Sequence, residues 1–250
     1  MPTPIEHLIL ANDMLTSPDL PHALRAQLDD ETLRGAFFFG HIAPDARVIS
    51  RQPRKTTHFI NTPPTHHRPS HERMLAAHPS LAQPAALPAP LSAFLAGYLA
   101  HLLLDELWMR EIFLPLFGPA QSWGDRRERL LLHNALRAWL DRQNWPRLRG
   151  DLGHLLRQAR PDNWLPFIAD ADLCRWRDLV ADQFVSDGAI RTAEIFASHA
   201  HISAADFLAL LESDTMETRV FNRISLAALD AFRTRAVARC QGLVIHYLMG

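Results

Sequence analysis

Residues 91–113 read LSAFLAGYLAHLLLDELWMREIF. The run is apolar almost all round and rich in Ala and Leu. Its length suits a helix and exceeds a strand, so it predicts a central buried helix. Pro90 precedes it, Ser92 can cap it, and Pro115, Gly118 and Pro119 end it. His101 and Asp105 lie inside it. Four residues apart on a helix, they project from one face, one turn apart. Burying both is costly unless something compensates them. Two arrangements would do so: a hydrogen-bonded His–Asp pair, or a shared metal ion that neutralises the carboxylate and takes the imidazole lone pair.

Helical patterns extend outward in both directions. Thr3-Pro4 marks a helix start, and Ile5, Leu8, Ile9 and Met14 fall near one face of a helix over 4–15, with His7 beside that stripe. Short helices are expected over 20–28 and 31–39, the latter running into the loop 40–45. Residues 46–90 are the least regular part, dense in proline, with room for a short helix over 71–78. Further helices are expected over 125–142, 147–158, 171–183, 187–199, 203–213 and 215–240. The alternating β-branched runs of strands are absent. The expected fold is all-α, a multi-helix bundle forming a single helical domain over 1–250. Its metal-bearing half covers about 1–120, and a helical second half covers about 121–250.

A net charge of -1 gives no general attraction to nucleic acid or anionic membranes. Cys174 and Cys240 form no CxxC pair and are expected as free thiols. The start, MPTPIEHLILANDML, lacks a basic leader region. The longest apolar run, 91–104, is shorter than a membrane span. No transmembrane segment and a cytoplasmic location are therefore expected.

Other residues bear on the choice between the pair and the metal. Asp45 follows a proline in the loop led by Gly40, directly after the apolar run 36–39. His58 stands between polar residues and Phe59-Ile60, and His7 sits among apolar neighbours. Together these supply three His and two Asp at core-facing positions, a donor set suited to zinc or a similar ion. Arg47, Arg51, Arg54 and Lys55 lie between Asp45 and His58 and form either a phosphate-binding surface or a solvated basic loop. His41 is a candidate to orient Asp45 or a substrate. His66, His67, His71 and His78 read as a polar surface loop, and His133 as a core or groove histidine.

The order Met1-Pro2-Thr3-Pro4 with His7, Gly40-x-x-x-Pro44-Asp45, Thr57-His58-Phe59 and Gly97-Tyr98-x-x-His101-x-x-x-Asp105 resembles the zinc-dependent phospholipase C family, closest to its intracellular bacterial members. The resemblance covers roughly residues 1–110. It implies an all-helical fold in which Asp45, His58, His101 and Asp105 hold one zinc ion, and His7 can join Asp105 in holding a second. Secreted members use an N-terminal tryptophan and further His and Glu ligands. This chain has Met1 there, with only Glu106, Glu111 and His133 nearby.

The expected function is metal-dependent hydrolysis of a phosphoester or phospholipid. Asp45 would serve as ligand and general base, and Arg47, Arg54 and Lys55 would meet the phosphate. The alternative is a non-catalytic helical scaffold or binding protein with a structural metal site.

Overall fold

The computed structural model describes residues 1–61, 68–148, 150–184 and 191–250, apart from the side chain of His199. All regular structure among them is helical. The first half contains α1 (Pro4–Thr16), α2 (His22–Leu28), α3 (Glu31–Gly40), α4 (Arg47–Ser50), α5 (Arg54–His58), α6 (Ser70–Ala77), α7 (Ala89–Trp108) and α8 (Leu114–Phe117). The second contains α9 (Arg126–Asn144), α10 (Leu152–Gln158), α11 (Asp170–Ala181), α12 (Thr192–Ala200), α13 (Ala204–Glu212) and α14 (Leu226–Met249).

Local chemistry sets many of these boundaries. Side-chain oxygens of Thr3, Asp30, Asp125, Ser203 and Ser225 accept from main-chain N–H groups in the first turns of α1, α3, α9, α13 and α14. Each satisfies a donor that the helix leaves unpaired. Helix α7 differs from expectation at both ends. It starts at Ala89, so Pro90 lies within its first turn, where a missing N–H costs nothing. Ser92 is no cap; its hydroxyl donates to the Pro84 carbonyl at 2.9 Å. At the other end a widened turn, Met109–Phe113, carries the chain into α8. Pro115 explains it: the ring cannot donate to, and crowds, the carbonyl of Glu111 four residues back.

The span 215–240 is two elements rather than one. A wide turn over Met216–Phe221 precedes α14, which the Ser225 cap starts afresh. Segment 46–90 is more ordered than its prolines suggest, carrying α4, α5, α6 and two short 3-10 turns. The expected helix over 187–199 is α12 from Thr192 onward; residues 187–190 lie outside the described residues, as do His66 and His67.

Helix α7 is buried on every side from Leu91 to Trp108 and forms the axis of the molecule. It packs chiefly on α3 and on α14, with α6 and α1 beside them. Helix α10 lies on α3, and α11 lies on α10 and on the turn Ala43–Ala46. Helix α1 bridges to α9 and α14. One contiguous apolar core runs from Ile5 to Tyr247, so the two halves of the sequence close around the same axis.

The α3–α7 contact is closer than side chains would allow. A Cβ on Gly40 would collide with the carbonyl oxygen of Phe94, and one on Gly97 with that of Phe37. The two glycines let main chain meet main chain there. No helix among the described residues is long and apolar enough to cross a membrane. Cys174 and Cys240 are free, half-buried and buried respectively, and burial pushes the Cys240 thiol up to about 12.

Candidate metal centre

Five side chains expected as ligands converge from four separate segments. His7 comes from the middle of α1, Asp45 from the 3-10 turn after α3, His58 from the last residue of α5, and His101 and Asp105 from α7. His58 Nε2 lies 3.4 Å from Asp45 Oδ1, 3.3 Å from Asp105 Oδ2 and 3.4 Å from His101 Nε2. His101 Nε2 lies 3.6 Å from Asp105 Oδ2, and His7 Nε2 lies 3.4 Å from Asp105 Oδ1. The His7 and His101 rings stack with centroids 3.7 Å apart. Two triads have the spacing to hold an ion: His7–His101–Asp105 and Asp45–His58–His101.

The cluster is largely buried. His7, His58 and His101 are fully buried, and Asp105 is 2% exposed. Asp45 is the partly open member, with 19% of its side chain exposed. Burial, reinforced by His101, lowers His7 to about 4. Burial, reinforced by the Arg54 charge, lowers His58 to about 4 as well. Burial alone would raise the two carboxyls, but their neighbours outweigh it. Arg54 and then His101 hold Asp105 well below the usual carboxylate range, and hydrogen bonding to His58 does the same for Asp45. Both carboxylates are ionised and both imidazoles neutral at pH 7, the protonation states that metal ligands require.

Surrounding groups fix the orientation of each ring. His101 Nδ1 lies 2.7 Å from the main-chain carbonyl of His41. A carbonyl only accepts, so Nδ1 carries a proton and Nε2 is the nitrogen that faces the cluster. Thr57 Oγ1 lies 2.8 Å from His58 Nδ1 and holds the orientation of that ring. The hydroxyl of Tyr98 donates to the Thr57 carbonyl at 2.6 Å, tying the end of α5 to α7. Trp176 Nε1 donates to the Ile42 carbonyl at 2.8 Å, pinning the turn that carries Asp45 to α11. Directly after His58, Phe59 takes φ 52° and ends α5 in a left-handed conformation uncommon for a bulky residue.

His41 acts differently from expectation. Its carbonyl, not its ring, orients His101. The ring packs edge-on against Phe37 at 4.8 Å, and both its nitrogens lack a hydrogen bond. Of the basic residues, Arg54 enters the cluster and pairs with Asp105 Oδ2. Arg47 is half-buried and Lys55 exposed, and no ion pair joins either one among the described residues.

The nearby groups that could have extended the ligand set are engaged elsewhere. Glu106 accepts from the Ser70 main-chain N–H at 3.0 Å, at the start of α6, and from Arg110. Glu111 pairs with Arg235 and Arg239 of α14. His133 Nε2 accepts from Trp108 Nε1 at 2.9 Å inside an aromatic cage with Phe113 and Phe117. His78 packs between Phe59 and Phe167.

The roles of Tyr98 and Trp176 escaped sequence reasoning because each acts through a main-chain carbonyl far along the chain. The adjacency of Thr57 to His58 was the one local signal. No protein-family model, curated protein or solved structure matches the chain, so the centre is read from its own geometry.

Proposed function

We propose that this protein is a metal-dependent phosphoester hydrolase whose ion, zinc or a similar divalent cation, is held among Asp45, His58, His101, Asp105 and His7. The observation that carries this reading is the convergence of these five side chains, with neighbouring donor atoms 3.3–3.6 Å apart, in a largely buried space that opens to solvent at Asp45. The donor chemistry fits. One donor atom from each of Asp45, His58 and His101 lies within 4.8 Å of the others, and the same holds for His7, His101 and Asp105. Imidazole nitrogens and carboxylate oxygens are the donors that zinc and similar ions take.

A bound ion would supply Lewis acidity toward a phosphoryl oxygen and a lowered pKa for a coordinated water. The remaining roles fall to the chain. Asp45 reaches the open edge of the cluster, where substrate would arrive. Its depressed pKa suits a ligand better than the general base expected from sequence. Arg54, already at the cluster, and Arg47 and Lys55 on the flanking helices α4 and α5 supply positive charge for a phosphate. The likeness to zinc-dependent phospholipase C in the order of the motifs supports a phosphodiester, including a phospholipid, as substrate. Purified protein should contain metal and hydrolyse chromogenic phosphodiesters or phosphatidylcholine vesicles, with His101→Ala and Asp45→Ala inactive. Metal-free protein that stays inactive after zinc or manganese is added overturns the proposal.

One observation favours a structural metal instead: three candidate ligands are fully buried and a fourth is 2% exposed, as in closed sites. In that reading the protein is a helical scaffold. A chelator separates the two. Loss of helical signal points to the structural role; loss of activity with the fold intact points to the catalytic one.

A further inference from the structure

The two triads compete for one atom. Both include His101, and its Nδ1 is spent on the His41 carbonyl. Only Nε2 remains, and a single lone pair binds a single ion. The triads therefore cannot both be complete at once.

Charge and access decide between them. Arg54 pairs with Asp105 Oδ2, so the carboxylate of the His7 triad already has a cation. Among the described residues Asp45 pairs with no Arg or Lys, and it faces His58. Arg54 already offsets the Asp105 carboxylate, so a divalent ion seated at His7–Asp105 would meet a fixed positive charge in a buried space, at a desolvation and repulsion cost. The side chain of Asp45 is 19% exposed and that of Asp105 3%, so an ion at Asp45 keeps an edge toward solvent.

We propose that the centre holds a single ion on Asp45, His58 and His101, and that the Arg54 guanidinium stands in for a second ion at His7–Asp105. The proposal rests on the metal-centre reading above and sharpens it. Arg54 is then a fixed internal cation, placed by its ion pair beside the ion and the open edge. His7 and Asp105 are positioning residues rather than ligands.

The test is metal stoichiometry and affinity, measured by elemental analysis and by zinc titration against a chromogenic chelator, with circular dichroism to confirm folding. Wild type should bind one ion per chain. The double variant Arg54→Met, Asp105→Asn removes the ion pair without leaving either charge alone. It should still bind one ion, with affinity reduced by no more than about 100-fold, the upper end of outer-shell changes. His7→Gln should behave likewise and leaves the ion pair untouched. Asp45→Asn should lose more than about 100-fold in affinity, beyond that outer-shell range. Arg54→Met alone should admit a second, weaker ion. Two ions in wild type, or loss of the ion in both the double variant and His7→Gln, overturns this assignment while leaving the metal reading standing. No ion in wild type overturns both.

Discussion

The Nδ1 of His101 lies 2.7 Å from the main-chain carbonyl of His41, across the contact where α3 and α7 meet without intervening side chains. A candidate ligand on one helix thus takes its direction from the backbone of another. The bond depends on Gly40 and Gly97, which keep the two backbones together.

Gly97→Ala should therefore act on both stability and the centre. The added methyl meets the Phe37 carbonyl and crowds His41, so α3 must move away. Overpacking of this kind costs about 1–3 kcal/mol. Chemical denaturation should show that loss, and zinc affinity should fall with it as His101 loses its acceptor. Unchanged affinity would mean that His101 does not depend on the carbonyl.

Tyr98→Phe should weaken the centre with little change in packing. The phenol bond to the Thr57 carbonyl holds the end of α5, and with it Thr57 and His58. Zinc affinity should drop by roughly tenfold, the lower end for outer-shell partners. Stability should fall by about 1–2 kcal/mol through the orphaned carbonyl. Competition with a chelator and thermal melting read the two effects separately.

His133→Leu should leave metal content unchanged. It removes the acceptor of the buried Trp108 indole N–H, so stability should fall by about 1–3 kcal/mol. Loss of metal in this variant would make His133 a ligand after all.

Metal-free protein should be destabilised by mild acid. His7 and His58 have folded-state values of about 4, below the ordinary 6.5 of the unfolded chain. Between those values the unfolded state binds more protons, so stability rises with pH. The contribution is complete above about pH 6.5 and is lost as pH falls through about 4, on the order of 3 kcal/mol per histidine. Melting curves in chelator across this window should show the slope, and His7→Gln should reduce it.

Asp141 should impose the opposite slope at higher pH. It is fully buried, and its two oxygens accept from the hydroxyls of Thr3 and Thr192, joining α9 to the starts of α1 and α12. Burial, with the Glu6 charge beside it, raises it to about 8. The folded state then holds a proton that the unfolded state has released. Stability from this group is complete below about pH 4 and falls as pH rises toward 8. Asp141→Asn should flatten the decline, and wild-type and variant melting curves compared at pH 5 and pH 8 check it.

The helical character of this protein was written in its sequence. The apolar run at 91–104 fixes a buried axis, and Thr3-Pro4 marks the start of α1. His101 and Asp105 were bound to share a face, because four residues make about one helical turn. Local sequence carries these features because their causes act over a few residues. The convergence of Asp45, His58 and His7 on that face depends on how α1, α3 and α5 pack, and no local rule contains it. The pairing of Arg54 with Asp105 joins residues 51 positions apart. The spacing of Arg54 permitted a phosphate contact equally well. Only the packed structure places its charge against a buried carboxylate, since that attraction gains its strength when surrounding helices exclude water.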